Sequence, residues 1–183
     1  MDTKSNNNES SRNGTVITEG NYTALEFERQ IAHSKVTIWK AITEPKELAS
    51  WFNTKAIIGG RNGGTIDYIS APAGFHTTGK ITIWDPPCAF EHEWHIEPHP
   101  PEIPNGEPEA TISWKLVYSS ENDTKLLLNF SRLTKSTGLG FAPGMHAFLD
   151  RLESHLNREV LPNWMDRYTQ VKGSYPDWQA SKN

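Results

Sequence analysis

The chain has 183 residues, which suits one domain with tails, and charges of both signs are interspersed to a net charge of −4. The sequence has neither the basic stripe of a nucleic-acid binder nor a basic cluster that would bind an anionic membrane surface. Cys88 is the single cysteine. No apolar stretch is long enough to cross a membrane, and the first residues, MDTKSNNNESSRNG, lack the apolar run of a signal peptide. We therefore expect a cytoplasmic protein.

The two ends of the chain differ in composition from its middle. Residues 1–14 are rich in Asn and Ser and nearly devoid of apolar side chains, which predicts a disordered tail. We expect one ordered domain over residues 15–172 and a loose tail over residues 173–183. Tyr175 and Trp178 in that tail could dock on the domain.

The first clear element is a strand over residues 24–31, where apolar and polar residues alternate. Leu25, Phe27 and Ile31 share one face. Arg29 lies on the same face, and a buried charge without a partner is very costly. Arg29 therefore needs an acidic partner, an anionic ligand or a path to solvent, and an internal acidic partner is favoured.

Two short helices are predicted next. Ser34 is a suitable N-cap for the first, and Pro45 suits the first turn of the second. The Glu44-Pro45 step separates them, because a residue before proline avoids the helical conformation.

Strand and turn signals fill residues 54–131. One hairpin is predicted around Asp85-Pro86-Pro87, with strands from Phe75 to Trp84 and from Cys88 to Ile96, and another turns at residues 119–123. Between them lies an acidic, proline-rich loop, Pro98 to Pro108, whose role the sequence does not reveal. The short local turns favour an antiparallel meander.

A long helix is predicted from Gly144 to Leu161. Pro162 should kink or end it, and if it is only kinked, Trp164 and Tyr168 continue it. Polar residues including Asp150, Arg151 and Glu153 form its other side. Its apolar stripe consists of Met145, Phe148, Leu149, Leu152, Leu156 and Val160. A curved antiparallel sheet of about six or seven strands around this helix, with two short helices after the first strand, is the α+β fold that we expect.

Several segments together resemble a known family. They are Val36 to Phe52 (VTIWKAITEPKELASWF), Gly79 to Trp94 with its Trp84-Asp85-Pro86-Pro87 turn, Thr124 to Leu133, and Met145 to Leu152. Over residues 22–165 the chain is similar to the START-like (SRPBCC) superfamily, and within it to homologues of the activator of heat-shock protein 90 ATPase. The resemblance implies a helix-grip fold and a cavity that could hold an apolar ligand.

The chain departs from the family pattern at three places. His33-Ser34 replaces a common Ala-Pro pair, Met145 replaces a common Trp, and the loop from Pro98 to Pro108 resembles an insertion. We expect these differences to affect the mouth of the pocket more than the fold.

No motif indicates a metal, a cofactor or a catalytic residue. His92 and His95 are three residues apart on a strand and so point to opposite faces. Cys88 has no basic neighbour in sequence to activate it and is interpreted as a small buried apolar residue. The carboxylate pairs Glu26/Glu28 and Glu91/Glu93 fall on polar strand faces and are interpreted as solvated.

Aromatic residues are the most informative group. Core packing explains most of them, but a curved sheet and a straight helix do not close perfectly, so some are expected to line a cavity. Polar groups in that wall would be Tyr68, His76 and His92, with Arg29 as a possible buried charge. The ligand-binding candidates are Trp39, Trp51, Phe52, Tyr68, His76, His92, Trp94, Trp114, Phe130, Met145, Phe148, Leu149 and Leu152.

Three functions remain open at this point. The first is binding of a hydrophobic or aromatic small molecule between the sheet and the long helix. The second is an enzyme similar to polyketide cyclases and aromatases, with His92 or His76 as general acid or base in the same cavity. The third is an interaction module for the heat-shock protein 90 chaperone, which would need an exposed apolar patch on the outer surface.

Overall fold

A computed structural model describes residues 12–70, 74–97 and 110–177. Within these ranges there are nine strands, four α-helices and one short 3-10 helix. They are β1 (Thr15–Glu19), β2 (Tyr22–Ile31), α1 (Lys35–Thr43), α2 (Pro45–Trp51), β3 (Lys55–Ile58), β4 (Thr65–Ser70), β5 (Phe75–Asp85), β6 (Ala89–Glu93), β7 (His95–Glu97), β8 (Thr111–Ser120), β9 (Asp123–Thr134), α3 (Lys135–Leu156), α4 (Trp164–Val171) and the 3-10 helix Lys172–Ser174.

The strands form one antiparallel sheet in the order β1-β2-β9-β8-β6-β5-β4-β3, with β7 paired to β5. Every pair of neighbouring strands in the described part of the chain runs antiparallel. The buried residues of the sheet face α3, so the expected helix-grip architecture is confirmed.

The sheet has nine strands rather than the six or seven expected. β1 was missed because four of its five residues are exposed, so it carries no alternation of apolar and polar side chains. The strand predicted from Cys88 to Ile96 is interrupted at Trp94 and forms β6 and β7. β1 lies at the edge of the sheet, whereas the break at Trp94 lies within it and leaves the alternation of buried residues from Phe90 to Ile96 unchanged, so the sequence pattern does not reveal it.

The short helices begin where the sequence predicts. Ser34 caps α1, and its hydroxyl oxygen accepts a hydrogen bond of 3.3 Å from the N–H of Thr37. Pro45 opens α2. The indole Nε1 of Trp51 donates a bond of 2.9 Å to the carbonyl oxygen of Ala41, which ties the two helices together.

The long helix α3 begins at Lys135, nine residues before the predicted start at Gly144, and ends at Leu156. The earlier start was missed because glycines and Pro143 interrupt the sequence there. Gly138 is needed for packing, since a Cβ atom would lie 2.5 Å from Cγ2 of Thr23 on β2. The predicted stripe is buried or half-buried from Met145 to Leu156, but Val160 lies beyond the helix and is 94% exposed.

The supposedly polar side of α3 is also buried, and its charges are paired. Asp150 and Arg151 are each 7% exposed. Arg29 on β2 places Nε 3.2 Å from Oε1 of Glu153 and Nη2 3.8 Å from Oδ1 of Asp150. The acidic partner expected for Arg29 is therefore confirmed. Arg12 completes the cluster, because it bonds Asp150 at 2.7 Å and Glu153 at 2.9 Å.

The N-terminal segment packs further onto the domain than expected, and Tyr175 docks on the domain as the sequence allowed. Gly14 donates its N–H to the hydroxyl of Tyr175, and that hydroxyl lies 2.8 Å from Nδ1 of His146 on α3. Arg12, Gly14 and Tyr175 thus contact residues of the domain, although they lie outside residues 15–172. Residues 1–11, the Pro98 to Pro108 loop and Trp178 lie outside the described residues.

None of the helices in the described ranges is both long and apolar enough to cross a bilayer.

Candidate functional site

A cavity of about 400 Å³ lies between the sheet, the end of α2, and helices α3 and α4. Its volume falls within the range of small-molecule sites. It is lined by Phe52, Phe75, Trp94, Gly140, Phe141, Gly144, Met145, Phe148, Trp164, Met165 and Tyr168.

One face of α3 forms the central wall. Its lining residues are spaced at i, i+1, i+4, i+5 and i+8 from Gly140 to Phe148, which is the spacing of a single helical face. Two of the five are glycines, Gly140 and Gly144. The wall is therefore partly helix backbone rather than side chain.

Aromatic rings in mutual contact form the other walls. The rings of Phe52 and Phe148 lie 4.5 Å apart in an edge-to-face arrangement, and those of Phe75 and Trp94 lie 6.3 Å apart. On the opposite side, the ring of Trp164 lies 5.4 Å from that of Phe148. No lining residue among those described carries a charge, so burying a charged group in the cavity would be costly.

Helix α4 contributes a further wall of the cavity, through Trp164, Met165 and Tyr168. Trp164 donates its indole N–H to the carbonyl oxygen of Gly144 at 3.1 Å, and Arg167 bonds Asp150 at 2.6 Å. Tyr168 stacks on Trp164 with ring centroids 5.5 Å apart. The sequence predicts this segment only as a continuation of the long helix. The spacing of Trp164 and Tyr168, four residues apart, nevertheless indicates an aromatic helical face.

Four of the ligand-binding candidates line the cavity: Phe52, Trp94, Met145 and Phe148. The remaining apolar candidates are buried in the core and are not among the lining residues. These are Trp39, Trp51, Trp114, Phe130, Leu149 and Leu152. Of these, Phe130 packs directly behind the lining, with its ring 5.6 Å from that of Trp94 and 6.2 Å from that of Phe141. The cavity residues that the sequence did not single out are Phe75, Gly140, Phe141, Gly144, Trp164, Met165 and Tyr168.

The polar candidates do not line the cavity. His76 lies at the surface, where Nε2 is 3.0 Å from Oδ1 of Asp67, so the expectation that it faces the pocket is corrected. It points outward because Phe75 and Thr77 take the inner face of β5. Tyr68 and His92 are buried beside each other, with ring centroids 5.8 Å apart, and Arg29 is paired.

His92 is a neutral side chain held inside the core. Its Nδ1 lies 2.7 Å from the carbonyl oxygen of Glu93, which only accepts, so Nδ1 carries the proton. Nε2 has no hydrogen-bond partner among the described residues. Burial between Phe90 and Trp94 lowers the pKa of His92 to about 4.

Among the described residues that line the cavity, Trp94 is the one with a buried polar atom that has no hydrogen-bond partner. Its side chain lines the cavity and is 3% exposed, yet no described group accepts a hydrogen bond from Nε1. A buried N–H without an acceptor destabilises a protein, and Nε1 is itself closed to solvent, so this donor is an unsatisfied group of the core rather than part of the open cavity surface.

The described residues contain no group of three or more His, Cys, Asp or Glu side chains placed to hold a metal ion. Cys88 lies away from the cavity. Its Sγ is 3.6 Å from Nζ of Lys35, a basic neighbour that sequence spacing did not reveal.

Residues 32–157 match the family described as activator of Hsp90 ATPase homolog 1-like protein. Among solved structures, a conserved protein of unknown function from Enterococcus faecalis is 18% identical with a TM-score of 0.67, covering 88% of this chain and 89% of that one.

CalU16 from Micromonospora echinospora is 18% identical with a TM-score of 0.66, covering 92% of this chain and 93% of its own. DynU16, from the dynemicin biosynthetic locus, is 18% identical with a TM-score of 0.59, and the alignment covers 73% of this chain and 47% of DynU16. These likenesses establish the fold. A search of curated protein sequences gave no match.

Proposed function

Given that this chain belongs to the family of activator of Hsp90 ATPase homolog 1-like proteins, we propose that it binds a neutral aromatic small molecule in the cavity beside α3. The observation that carries this proposal is the uncharged, largely aromatic lining of that cavity. A bound molecule would gain free energy from desolvation, at roughly 25 cal/mol for each Å² of apolar surface buried.

Native mass spectrometry of the purified protein tests the proposal directly, since a retained small molecule would appear as added mass. Titration with the neutral probe N-phenylnaphthylamine provides a second test. We expect the fluorescence of the probe to rise on binding, with a dissociation constant in the micromolar range or better. We also expect the bound probe to quench the emission of Trp94 and Trp164. If no mass is retained and the probe does not bind, the proposed function is wrong.

An enzyme of the cyclase or aromatase type is less well supported. Such chemistry needs a general acid or base within hydrogen-bond reach of the substrate. His76 lies on the surface, and His92 is not among the residues that line the cavity. Ligand binding needs only the apolar lining that the cavity supplies, whereas neither histidine considered as the general acid or base lies in that lining.

A chaperone-binding module also remains a prediction. Ile57 and Ile69 are exposed on neighbouring strands, but Asp67 stands opposite Ile57 and Lys55 stands opposite Ile69. Charges thus interrupt the apolar surface that a partner would need. Co-purification with heat-shock protein 90 would support this alternative, and the cytoplasmic location expected from the sequence likewise awaits a direct test.

A further inference from the structure

Helix α4 borders the opening of the cavity. Met165 lines the cavity and is nevertheless 59% exposed, so the cavity meets solvent beside this helix. Trp164 and Tyr168 on the same helix line the cavity as well. The position of α4 therefore decides how easily a ligand enters or leaves.

The chain from the start of α4 to Tyr175 is lightly attached to the domain. Of residues 164–175, all of which the structure describes, Val171 and Tyr175 are buried and the others are half-buried or exposed. Segments with few buried side chains open at a lower cost in free energy than the core does. This part of the chain is therefore suited to local opening.

The connection between α3 and α4 provides a hinge. Residues 157–163 form no helix or strand, and Arg158 among them adopts a positive φ of 58°. Near the end of the connection, the carbonyl oxygen of Pro162 accepts a bond of 2.6 Å from Arg151 on α3. Helix α4 can thus turn about Pro162 while α3 keeps its place.

A short N-terminal segment holds α4 down beyond the hinge. Arg12 bonds Oδ1 of Asp150 at 2.7 Å, while Arg167 on α4 bonds Oδ2 of the same carboxylate at 2.6 Å. Gly14 donates its N–H to the hydroxyl of Tyr175 at 2.9 Å. The N-terminal segment therefore binds Tyr175 directly and fixes the carboxylate to which Arg167 is attached.

Gly14 lies directly on the domain. A Cβ atom at this position would overlap the ring of Phe27 on β2, which is 3% exposed and packed in the core. Any side chain would lift the segment from the domain, because a core ring has little room to move. The bond from Gly14 to Tyr175 therefore depends on glycine at this position.

From these contacts we propose that residues 164–175 are a lid on the cavity and that residues 12–14 are a strap that keeps the lid closed. The lid lifts about Pro162 when a ligand enters or leaves, and the strap sets how often it lifts. Neither Arg12 nor Gly14 lines the cavity, so the strap acts on the rate of exchange rather than on contacts with the ligand. This inference rests on the proposed function, because it concerns access to the same cavity.

Stopped-flow fluorescence with N-phenylnaphthylamine tests the strap through Arg12→Gln and Gly14→Ala. Each substitution should raise both the association and the dissociation rate constant about 5- to 10-fold, because opening of the lid precedes both steps. The dissociation constant should stay nearly unchanged. Unchanged rate constants in both variants would overturn the proposal. Weaker binding without faster association would also overturn it, because the substitutions would then have distorted the wall.

Each variant has a matched control. Arg61→Gln removes the same charge from an exposed position between β3 and β4. Gly60→Ala places a Cβ atom 2.7 Å from the ring of Trp84, a similar clash between residues that do not line the cavity. Both controls should keep the rate constants of the native protein. Equal acceleration in the controls would mean that the strap is not responsible.

Hydrogen exchange tests the lid without any ligand. The amides of α4 should exchange about 5- to 10-fold faster in Arg12→Gln and Gly14→Ala than in the native protein. Gly60→Ala should leave exchange in α4 unchanged, although its clash with Trp84 destabilises the fold. If Gly60→Ala accelerates α4 as much as the strap variants do, α4 opens only with the whole domain and there is no lid.

The outcomes separate this inference from the function beneath it. If the native protein neither retains a small molecule nor binds the probe, both proposals are wrong. If it binds the probe and both strap variants exchange the probe at the native rate, the cavity is a ligand site and only the lid and strap are wrong.

Discussion

Trp164 on α4 and Gly144 on α3 are joined by a hydrogen bond of 3.1 Å from the indole Nε1 to the backbone carbonyl oxygen. The absence of a side chain at Gly144 allows this approach, since a Cβ atom there would lie 3.2 Å from the indole ring. The same ring packs on Phe148. Helix α4 is thereby held as the outer wall of the cavity.

Trp164→Phe should loosen that wall while keeping an aromatic ring in place. Loss of the hydrogen bond should cost about 1 kcal/mol and weaken binding of N-phenylnaphthylamine about 3- to 10-fold. Hydrogen exchange of the α4 amides should accelerate. Trp39→Phe is the control, because Trp39 is buried beside Trp84, away from α4, and its loss should leave exchange in α4 unchanged.

His92 should make the protein less stable in mild acid. In the unfolded chain its ring gains a proton below pH 6.5, whereas burial keeps it neutral in the folded protein down to about pH 4. The unfolded state therefore binds more protons in this window, and stability falls as the pH falls. Between pH 7 and pH 5 the loss due to His92 should be about 2 kcal/mol.

Urea unfolding of His92→Phe at both pH values checks this prediction. The variant should lose that part of the pH dependence, whereas His76→Gln, at the surface, should retain it. Titration of Asp150 does not contribute to the pH dependence between pH 7 and pH 5. Burial would raise the pKa of its carboxyl, but its contacts with His146, Arg12 and Arg167 outweigh burial and lower it, so it titrates below this window. Equal pH dependence in His92→Phe and the native protein would count against a buried neutral ring.

Arg29→Met should destabilise the fold by about 3 kcal/mol, because it leaves the carboxylates of Glu153 and Asp150 partly uncompensated in a buried site. Glu28 is the matched control, since it precedes Arg29 on β2 and pairs with Lys125 on the exposed face. Glu28→Gln should cost less than about 1 kcal/mol. Urea unfolding at pH 7 measures both, and similar values for the two variants would contradict a buried ion cluster.

Arg151→Lys should also destabilise the fold, although it preserves the charge. The guanidinium group donates to the carbonyl oxygens of Trp51 at 2.7 Å and Pro162 at 2.6 Å, and to Oδ1 of Asn53 at 3.1 Å. An ammonium group cannot reach these diverging acceptors together. We expect a loss of about 2 kcal/mol by thermal unfolding, against almost none for Arg158→Lys at the surface.

Prediction succeeded where local rules act and failed where they do not. The capping of α1 by Ser34 and the start of α2 at Pro45 depend on adjacent residues, and both were predicted. The early start of α3 was missed, because Gly138 and Gly140 read locally as helix breakers. In the folded protein Gly138 gives β2 close access to the helix, a contact that sequence spacing cannot express.

The residues of the cavity also fall into those that the sequence predicted and those that it did not. Phe52, Trp94, Met145 and Phe148 were predicted as ligand-binding residues because each lies on an apolar face directed at the core. His76 was placed wrongly, because sequence alone did not establish the outward register at the start of β5. Trp164 and Tyr168 were missed as wall residues, since the position of α4 depends on long-range bonds to α3.

The amino-acid pattern by itself determined the antiparallel sheet, the pair of short helices and the apolar stripe of α3, because periodic burial leaves a periodic record in the sequence. Only the tertiary structure decided that the opposite side of α3 is buried as well, with Asp150 and Glu153 enclosed by Arg29 and Arg12. Ion pairs and cavities join residues that are distant in the chain. Their geometry therefore follows from how the elements pack together, and no local repeat encodes it.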